Sequence, residues 1–420
     1  MRLAGTLIIF VTMLGLVIAR PRRWNEAWWT VAGALAMLAC SFVSPRQALE
    51  TMVAGKDALL FLLSLLLLSL LVAESGLFEW AAIRSARLAG GNARSLYRNA
   101  FILGAVVTAV LSLDTTAVML TPIVLALVRR LELPAAPYVI LCAFVANVGS
   151  LLLPVSNLTN ILFAGAFHLS FAEYAAKMAI PQAVALATTY ALLRWHFRHQ
   201  LPERFTASAL PEPKRVVPSR AYFLASAAVL TVVLAGYFVA PLAGLEVYVV
   251  AFVGCAVLTV VGVMTGRLHV RLLGKLSWSV FPLVIGLFIA VRGVENLGVV
   301  DAASAWLRSA PQSAATAFRV ALATALAANV VNNLPAALIA RSVLLQAGAH
   351  TRVVLGALVG ADAAPLLTPY GSLATILVFT LARRDGVQIR TSTLLWFGVW
   401  AVPVIFLTTT LALLLLPLAP

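Results

Sequence analysis

The chain has 420 residues, of which 62% are hydrophobic and only 11% charged, with a mean hydropathy of +1.00. Those values exclude an ordinary soluble domain, and the continuous apolar runs, without a period of two, exclude a β-barrel. The net charge of +15 sits in short segments between apolar runs, where it orients a membrane protein rather than binding nucleic acid.

Basic residues concentrate at Arg20–Arg23, Arg84–Arg98, Arg129–Arg130, Arg194–Arg220, Arg267–Lys275 and Arg383–Arg390. Placing all of them in the cytoplasm sets the topology. Leu3–Ala19 is followed, not preceded, by its arginines, so it reads as a first span rather than a cleaved signal. Spans near 3–19, 28–44 and 57–73 cross in turn from outside, and the charged stretch Glu74–Tyr97 lies in the interface.

Between Arg98 and Arg129 the apolar run Asn99–Ser112 is only about 14 residues, roughly 21 Å of helix. That is too short for a ~30 Å hydrocarbon core. With basic residues at both ends, 99–130 reads as a re-entrant hairpin with Asp114-Thr115-Thr116 at its tip. The stretch 136–167 is long for one span and is interrupted by Gly149, Ser150, Pro154 and Ser156–Asn160, so it reads as a broken helix. A span near 177–194 returns to the cytoplasm, and 195–219, rich in proline and charge, links two halves.

Spans near 220–240, 246–266 and 277–294 open the second half. A second hairpin, about 315–348, carries Asn332-Asn333-Leu334-Pro335 at its tip and opens to the outside. A second broken helix, about 350–382, holds Asp362, Pro365, Thr368, Pro369 and Gly371–Thr375, and a last span runs near 391–417.

The expectation is an all-α polytopic membrane protein: ten spans in two inverted five-span repeats, 1–194 and 220–420, each with one hairpin and one broken helix, and both termini on the periplasmic side. Asn157-Leu158-Thr159-Asn160-Ile161-Leu162 aligns with Ser372-Leu373-Ala374-Thr375-Ile376-Leu377, and Gly76-Leu77-Phe78 is set against Gly298-Val299-Val300.

Polar groups in such segments need a partner or a role. Asp114 and Asp362 are the candidates for proton coupling, because burial disfavours the charged carboxylate. Capping of the following arm is the competing role for Asp114, and hydrogen bonding to neighbouring groups is that for Asp362. Thr115, Thr116, Ser156, Asn157, Asn160, Asn332, Asn333, Gly371, Ser372 and Thr375 are the candidate substrate groups, as neutral donors and acceptors or free backbone at helix breaks. Interhelical hydrogen bonding is the plainer reading of any one of them.

The five histidines lack ligand spacing, Cys40, Cys142 and Cys255 form no CxxC pair, and no Walker A loop or nucleophile motif is present. No metal or cofactor is expected, and the reading is a transporter rather than an enzyme.

At Glu74-Ser75-Gly76-Leu77-Phe78-Glu79-Trp80-Ala81, Asp114-Thr115-Thr116-Ala117 with Thr121-Pro122-Ile123-Val124, Val155–Ile161, Asn332–Pro335 and Thr368–Thr375, the chain resembles bacterial ArsB-type arsenite efflux permeases. Where those permeases commonly read Asn-Asp at the first tip, this chain has Leu113-Asp114. The resemblance implies efflux of arsenite, and of antimonite, across the inner membrane in exchange for protons. Some relatives couple to a soluble arsenite-stimulated ATPase, which makes such an ATPase a partner to test for. The alternatives are a sodium/proton antiporter on the same scaffold and the membrane subunit of an ATP-driven pump. Arsenite at neutral pH is an uncharged trihydroxide, suited to amides and hydroxyls. No Lys or Arg falls in the four polar clusters, which argues against a carboxylate cargo.

Overall fold

The computed structural model describes residues 2–19, 24–387, 389 and 391–417, apart from the side chains of 209, 270 and 391. The basic segment 20–23, Arg390 and the two extreme ends therefore lie outside the described residues. Among the described residues the chain is helical, with no strand and a single isolated bridge between Asn92 and Arg204.

Among the described residues, six helical segments are long and apolar enough to cross a membrane: Arg2–Ala19, Lys56–Glu74, Arg220–Ala243, Val247–Met264, Ala314–Val331 and Ser392–Leu414. A seventh arises if Val280–Glu295 and Val299–Ser309, bent by 70°, count as one. This is a multi-pass membrane protein. The difference from the ten expected spans has local causes. The second expected span is cut short: α2 (Glu26–Ala39) ends after 14 residues, and Ser44 with Gln47 closes a capping box over α3 (Pro45–Ala54). The broken stretches contribute only short pieces. Helix α11 (Phe171–Phe197) has 27 residues but is diluted by Lys177, Gln182, Thr188 and Thr189.

Helix α1 is Arg2–Ala19 and α4 is Lys56–Glu74. Gly76, at φ 77°, turns the chain into α5 (Leu77–Arg87), whose Phe78, Ala82, Ile83 and Ala86 are buried. Gly298, at φ 78°, does the same between α14 (Val280–Glu295) and α15 (Val299–Ser309), a helix of equal length.

The arm expected to start at Asn99 starts earlier. Asn92 caps α6 (Ala93–Val110), so this arm has 18 residues. It turns at Leu111-Ser112 and returns as α7 (Leu113–Thr115), a π-helical turn (Thr116–Leu120) and α8 (Thr121–Arg130). The return arm widens where the Thr121 N–H bonds the Thr116 carbonyl, a spacing of five residues, and the Thr121 hydroxyl donates to the same carbonyl at 3.0 Å. In the second half, α16 (Ala314–Val331) meets α17 (Asn333–Ala347) at Asn332, which is left-handed at φ 81°. Pro335 falls in the first turn of α17, where its missing N–H is harmless. By length alone α16 is a crossing helix as well as a hairpin arm.

Each half continues with an interrupted helix: α9 (Ala135–Val148) with α10 (Leu158–Ala166), and α18 (Thr351–Ala363) with α19 (Leu373–Arg384). All of α9 from Pro137 and all of α18 from Val353 is buried, so these half-helices form the centre. Small residues let their neighbours approach closely. A Cβ on Gly360 would stand 2.2 Å from the Ala321 carbonyl oxygen on α16. Long helices α11 and α20 (Thr391–Leu414), each with an internal proline, close the halves.

The connection after α11 is docked rather than loose. Phe205 N–H bonds the Gly91 carbonyl at 2.8 Å, and Arg87 reaches the Pro211 carbonyl at 3.2 Å. Two further helices, α12 (Arg220–Val239) and α13 (Val247–Met264), precede α14. A second apolar core gathers Phe10, Met13, Met37, Leu62, Leu287 and Phe288, and receives Leu334 and Leu338 from α17.

Candidate functional site

Both interruptions are dictated locally. Pro154 in the first and Pro365 and Pro369 in the second cannot continue a helix. Gly371 passes so close to the chain that a Cβ there would lie 2.6 Å from the Pro365 carbonyl oxygen. After each break the backbone is extended, at Asn157 (φ −150°) and at Ser372 (φ −141°), and a new helix begins. Two helix N-termini thus begin in the protein's buried centre, the first of them capped by Asn157, whose Oδ1 accepts from Thr159 N–H.

The two interrupted helices are bonded to each other reciprocally. Asp362, near the end of α18 and 1% exposed, accepts at Oδ1 from Asn157 Nδ2 (2.9 Å) and from Thr159 Oγ1 (2.8 Å) at the start of α10. Asn147, near the end of α9 and 2% exposed, donates from Nδ2 to Thr375 Oγ1 (3.0 Å) in the first turn of α19. The register that aligns Asn157 with Ser372 also aligns Asn147 with Asp362 and Asn160 with Thr375. Equivalent positions therefore reach across to the opposite half.

Three buried atoms at this crossing have no hydrogen-bond partner: Asp362 Oδ2, Asn160 Oδ1 and Ser372 Oγ. Orphaned polar atoms in a packed interior call for an explanation, and these three lie in the two helix starts and one facing helix end. Ser372 holds the N-cap position of α19 without using its hydroxyl as a cap.

The remaining candidates hold the frame. Asn160 Nδ2 binds the carbonyls of Ser150 (2.6 Å) and Leu153 (3.1 Å) inside its own break. Ser156 Oγ donates to the Ala109 carbonyl (2.8 Å) and so ties the break to α6. At the first tip, Thr115 pairs with Ser69 of α4 and Thr116 with Thr108, both at 2.7 Å. At the second tip, Asn332 Nδ2 donates to the Tyr370 carbonyl (3.0 Å), and Asn333 N–H to the Gly371 carbonyl (2.8 Å). Asp114 is half-buried, and its side chain makes no hydrogen bond among the described residues. The capping role weighed for it falls to Ser112, whose hydroxyl accepts from Thr115 N–H at 3.1 Å.

Sequence reasoning missed several members. Asn147 lies in an apolar helix, and its signal was available in the repeat register. Asn329, inside α16, accepts from the N–H groups of Leu367 and Thr368 and donates to the Ala364 carbonyl at 2.8 Å. Gln182 of α11 does the same for the first break, through Leu151 N–H and the Val148 carbonyl.

The chain matches the family model for the arsenical pump membrane protein over residues 5–416. It is 32% identical over 424 residues to an Escherichia coli arsenical pump membrane protein, with 97% of each chain covered. The Yersinia enterocolitica arsenical pump membrane protein is 32% identical over 426 residues, again with 97% of each covered. In fold, the chain is similar to the crystal structure of the Alcanivorax borkumensis YdaH transporter, with a TM-score of 0.59, 16% identity, and 87% and 86% of the two chains covered. With a match that runs nearly from end to end, the chain belongs to the arsenical pump membrane protein family.

Proposed function

We propose that this chain exports trivalent arsenic from the cytoplasm across the inner membrane as the neutral trihydroxide, in exchange for entering protons, with antimonite as a second cargo. The observation that carries the reading is the crossing of the interrupted helices. Asp362 there has one oxygen held by Asn157 and Thr159 and the other without a partner, and Asn160 and Ser372, in the helices that begin at the two breaks, each keep an unpaired oxygen. No lysine or arginine hydrogen-bonds to any of these groups among the described residues. A site of hydroxyls, amides and one ionisable carboxyl suits an uncharged polyhydroxyl cargo and a proton.

Asp362 is the proposed proton carrier, with Asp114 secondary. Asn157, Asn160, Ser372, Thr375 and the Gly371 backbone are proposed to meet the cargo. Thr115, Thr116, Asn332 and Asn333 shape the tips around it, and Ser156 shapes the first break. Protonation of Asp362 in the empty site and its release when cargo displaces the proton would make the two occupancies mutually exclusive, as exchange requires.

The same proposal includes ten spans in two inverted repeats, 1–194 and 220–420, with periplasmic termini. Matching helix lengths support it: 18 residues in α6 and α16, 11 in α5 and α15, and 14 and 13 in α9 and α18. The reciprocal bonding of Asn147 and Asp362 supports it further. In this arrangement the hairpins and interrupted helices move against a scaffold built on the longer spans.

The test is extrusion of arsenite from arsenite-loaded cells that express the chain without any ATPase partner. Extrusion that stops on adding an uncoupler supports the reading. Extrusion that survives the uncoupler, or that depends on a sodium gradient instead, contradicts it.

A further inference from the structure

Away from the crossing, a pocket of about 160 Å³ lies between the end of α3, the last turn of α14 and the middle of α17. Its floor is apolar, formed by Leu162, Phe288 and Leu338, while Arg292, Glu295 and Arg341 line its wall. At ~30 Å³ per water, the space admits one small oxyanion with a few waters.

The charges do not balance. Glu295 is engaged at both oxygens: Oε2 accepts from Arg292 Nη1 at 3.1 Å, and Oε1 accepts from the Ser342 hydroxyl. That pairing accounts for one arginine. Arg341 is half-buried; Glu295 attracts it across the pocket, but among the described residues it makes no ion pair within contact distance and no hydrogen bond. The Nε–H groups of both Arg292 and Arg341 are buried and unpartnered. A guanidinium stays charged at any physiological pH and offers a planar set of donors. Leaving Arg341 half-buried without an ion pair is costly, and its guanidinium, with the free Nε–H of the Glu295-paired Arg292 beside the same cavity, matches the fork that carboxylate and phosphate oxygens accept.

We propose that this pocket is an anion site that takes a small, singly charged inorganic oxyanion between Arg341 and Arg292. Its net charge, two arginines against one glutamate, sets the preference for a monoanion over a dianion. The bound anion joins α17 to α14. Because α17 begins at Asn333, whose N–H holds the Gly371 carbonyl, anion occupancy fixes the position of the second tip.

The test is phosphate binding by the purified full-length chain in nanodiscs, against chloride at matched ionic strength, read by calorimetry and by the thermal unfolding midpoint. The wild type should bind phosphate saturably, more tightly at mildly acidic pH, where the monoanion dominates. Arg341→Gln should weaken binding by about tenfold or more, the value of one charged hydrogen bond. Glu295→Gln keeps the side chain's size and one of its two acceptors while raising the pocket's charge, so it should bind phosphate more tightly and guards against a folding failure of the arginine variant. Absence of saturable binding in the wild type, or unchanged affinity in both variants, overturns the proposal. The readout needs no transport, so its failure is separate from any failure of arsenite export.

Discussion

The end of α9 and the end of α18 occupy matching places in the two halves and each reaches the helix that begins at the opposite break. α9 presents the amide of Asn147, which donates to Thr375, and α18 presents the carboxyl of Asp362, which accepts from Asn157 and Thr159. The amide is a donor at any pH, so its bond to Thr375 is permanent. The carboxyl can change its protonation state, and its second oxygen is uncommitted. The contrast teaches that a frame with repeated geometry can carry its ion chemistry on one side only. In the proposed exchange, the neutral side would supply structure and the ionisable side coupling.

The largest expected effect comes from removing the ionisable side outright. Asp362→Ala strands two buried donors, Asn157 Nδ2 and Thr159 Oγ1, at about 1–3 kcal/mol each. Arsenite resistance should vanish and the unfolding midpoint of the purified protein should fall. A sharper variant moves the carboxyl across. The double change Asn147→Asp with Asp362→Asn should restore part of the pH-driven transport that Asp362→Asn lacks, because the carboxyl then faces the hydroxyl of Thr375. No recovery in vesicle uptake would show that position, and not the presence of one carboxyl, decides coupling.

Asn147→Ala is next in size. It breaks one interhelical bond at a buried site, costing about 1–3 kcal/mol, and should lower the uptake rate while leaving its dependence on the pH gradient intact. The smallest effect is expected from Asp114→Asn. Asp114 makes no side-chain hydrogen bond and is not sealed in the crossing, so resistance should fall only modestly. A complete loss there would transfer the coupling role from the crossing to the first tip.

The helical membrane class was legible in the sequence, because length and continuity of apolar runs report it directly, and the family was legible through the resemblance of motifs such as Asp114–Ala117 and Thr368–Thr375. The polar interruptions at Ser156–Asn160 and Gly371–Thr375 were legible because proline and amides are conspicuous in apolar sequence. Helix ends were harder. The early stop of α2 depended on the Ser44-Pro45 start with Gln47, a capping signal that hydropathy does not register. The early start of α6 depended on Asn92, which lies among charges that suggest an interface. The partners of Asp362 were not readable from spacing, since Asn157 and Thr159 lie some two hundred residues away in sequence. Asn147 and Asn329 were hidden in otherwise apolar helices, where a single amide resembles ordinary interhelical bonding.

The most direct measurement is arsenite uptake into everted membrane vesicles under an imposed gradient, acid inside, with wild type and Asp362→Asn compared at equal protein level. The amide keeps an acceptor for Asn157 and Thr159 but cannot carry the proton. Uptake by the wild type should rise with the gradient, and uptake by Asp362→Asn should show no response to it. Full gradient-driven uptake by Asp362→Asn would contradict the assignment of the proton to this carboxyl.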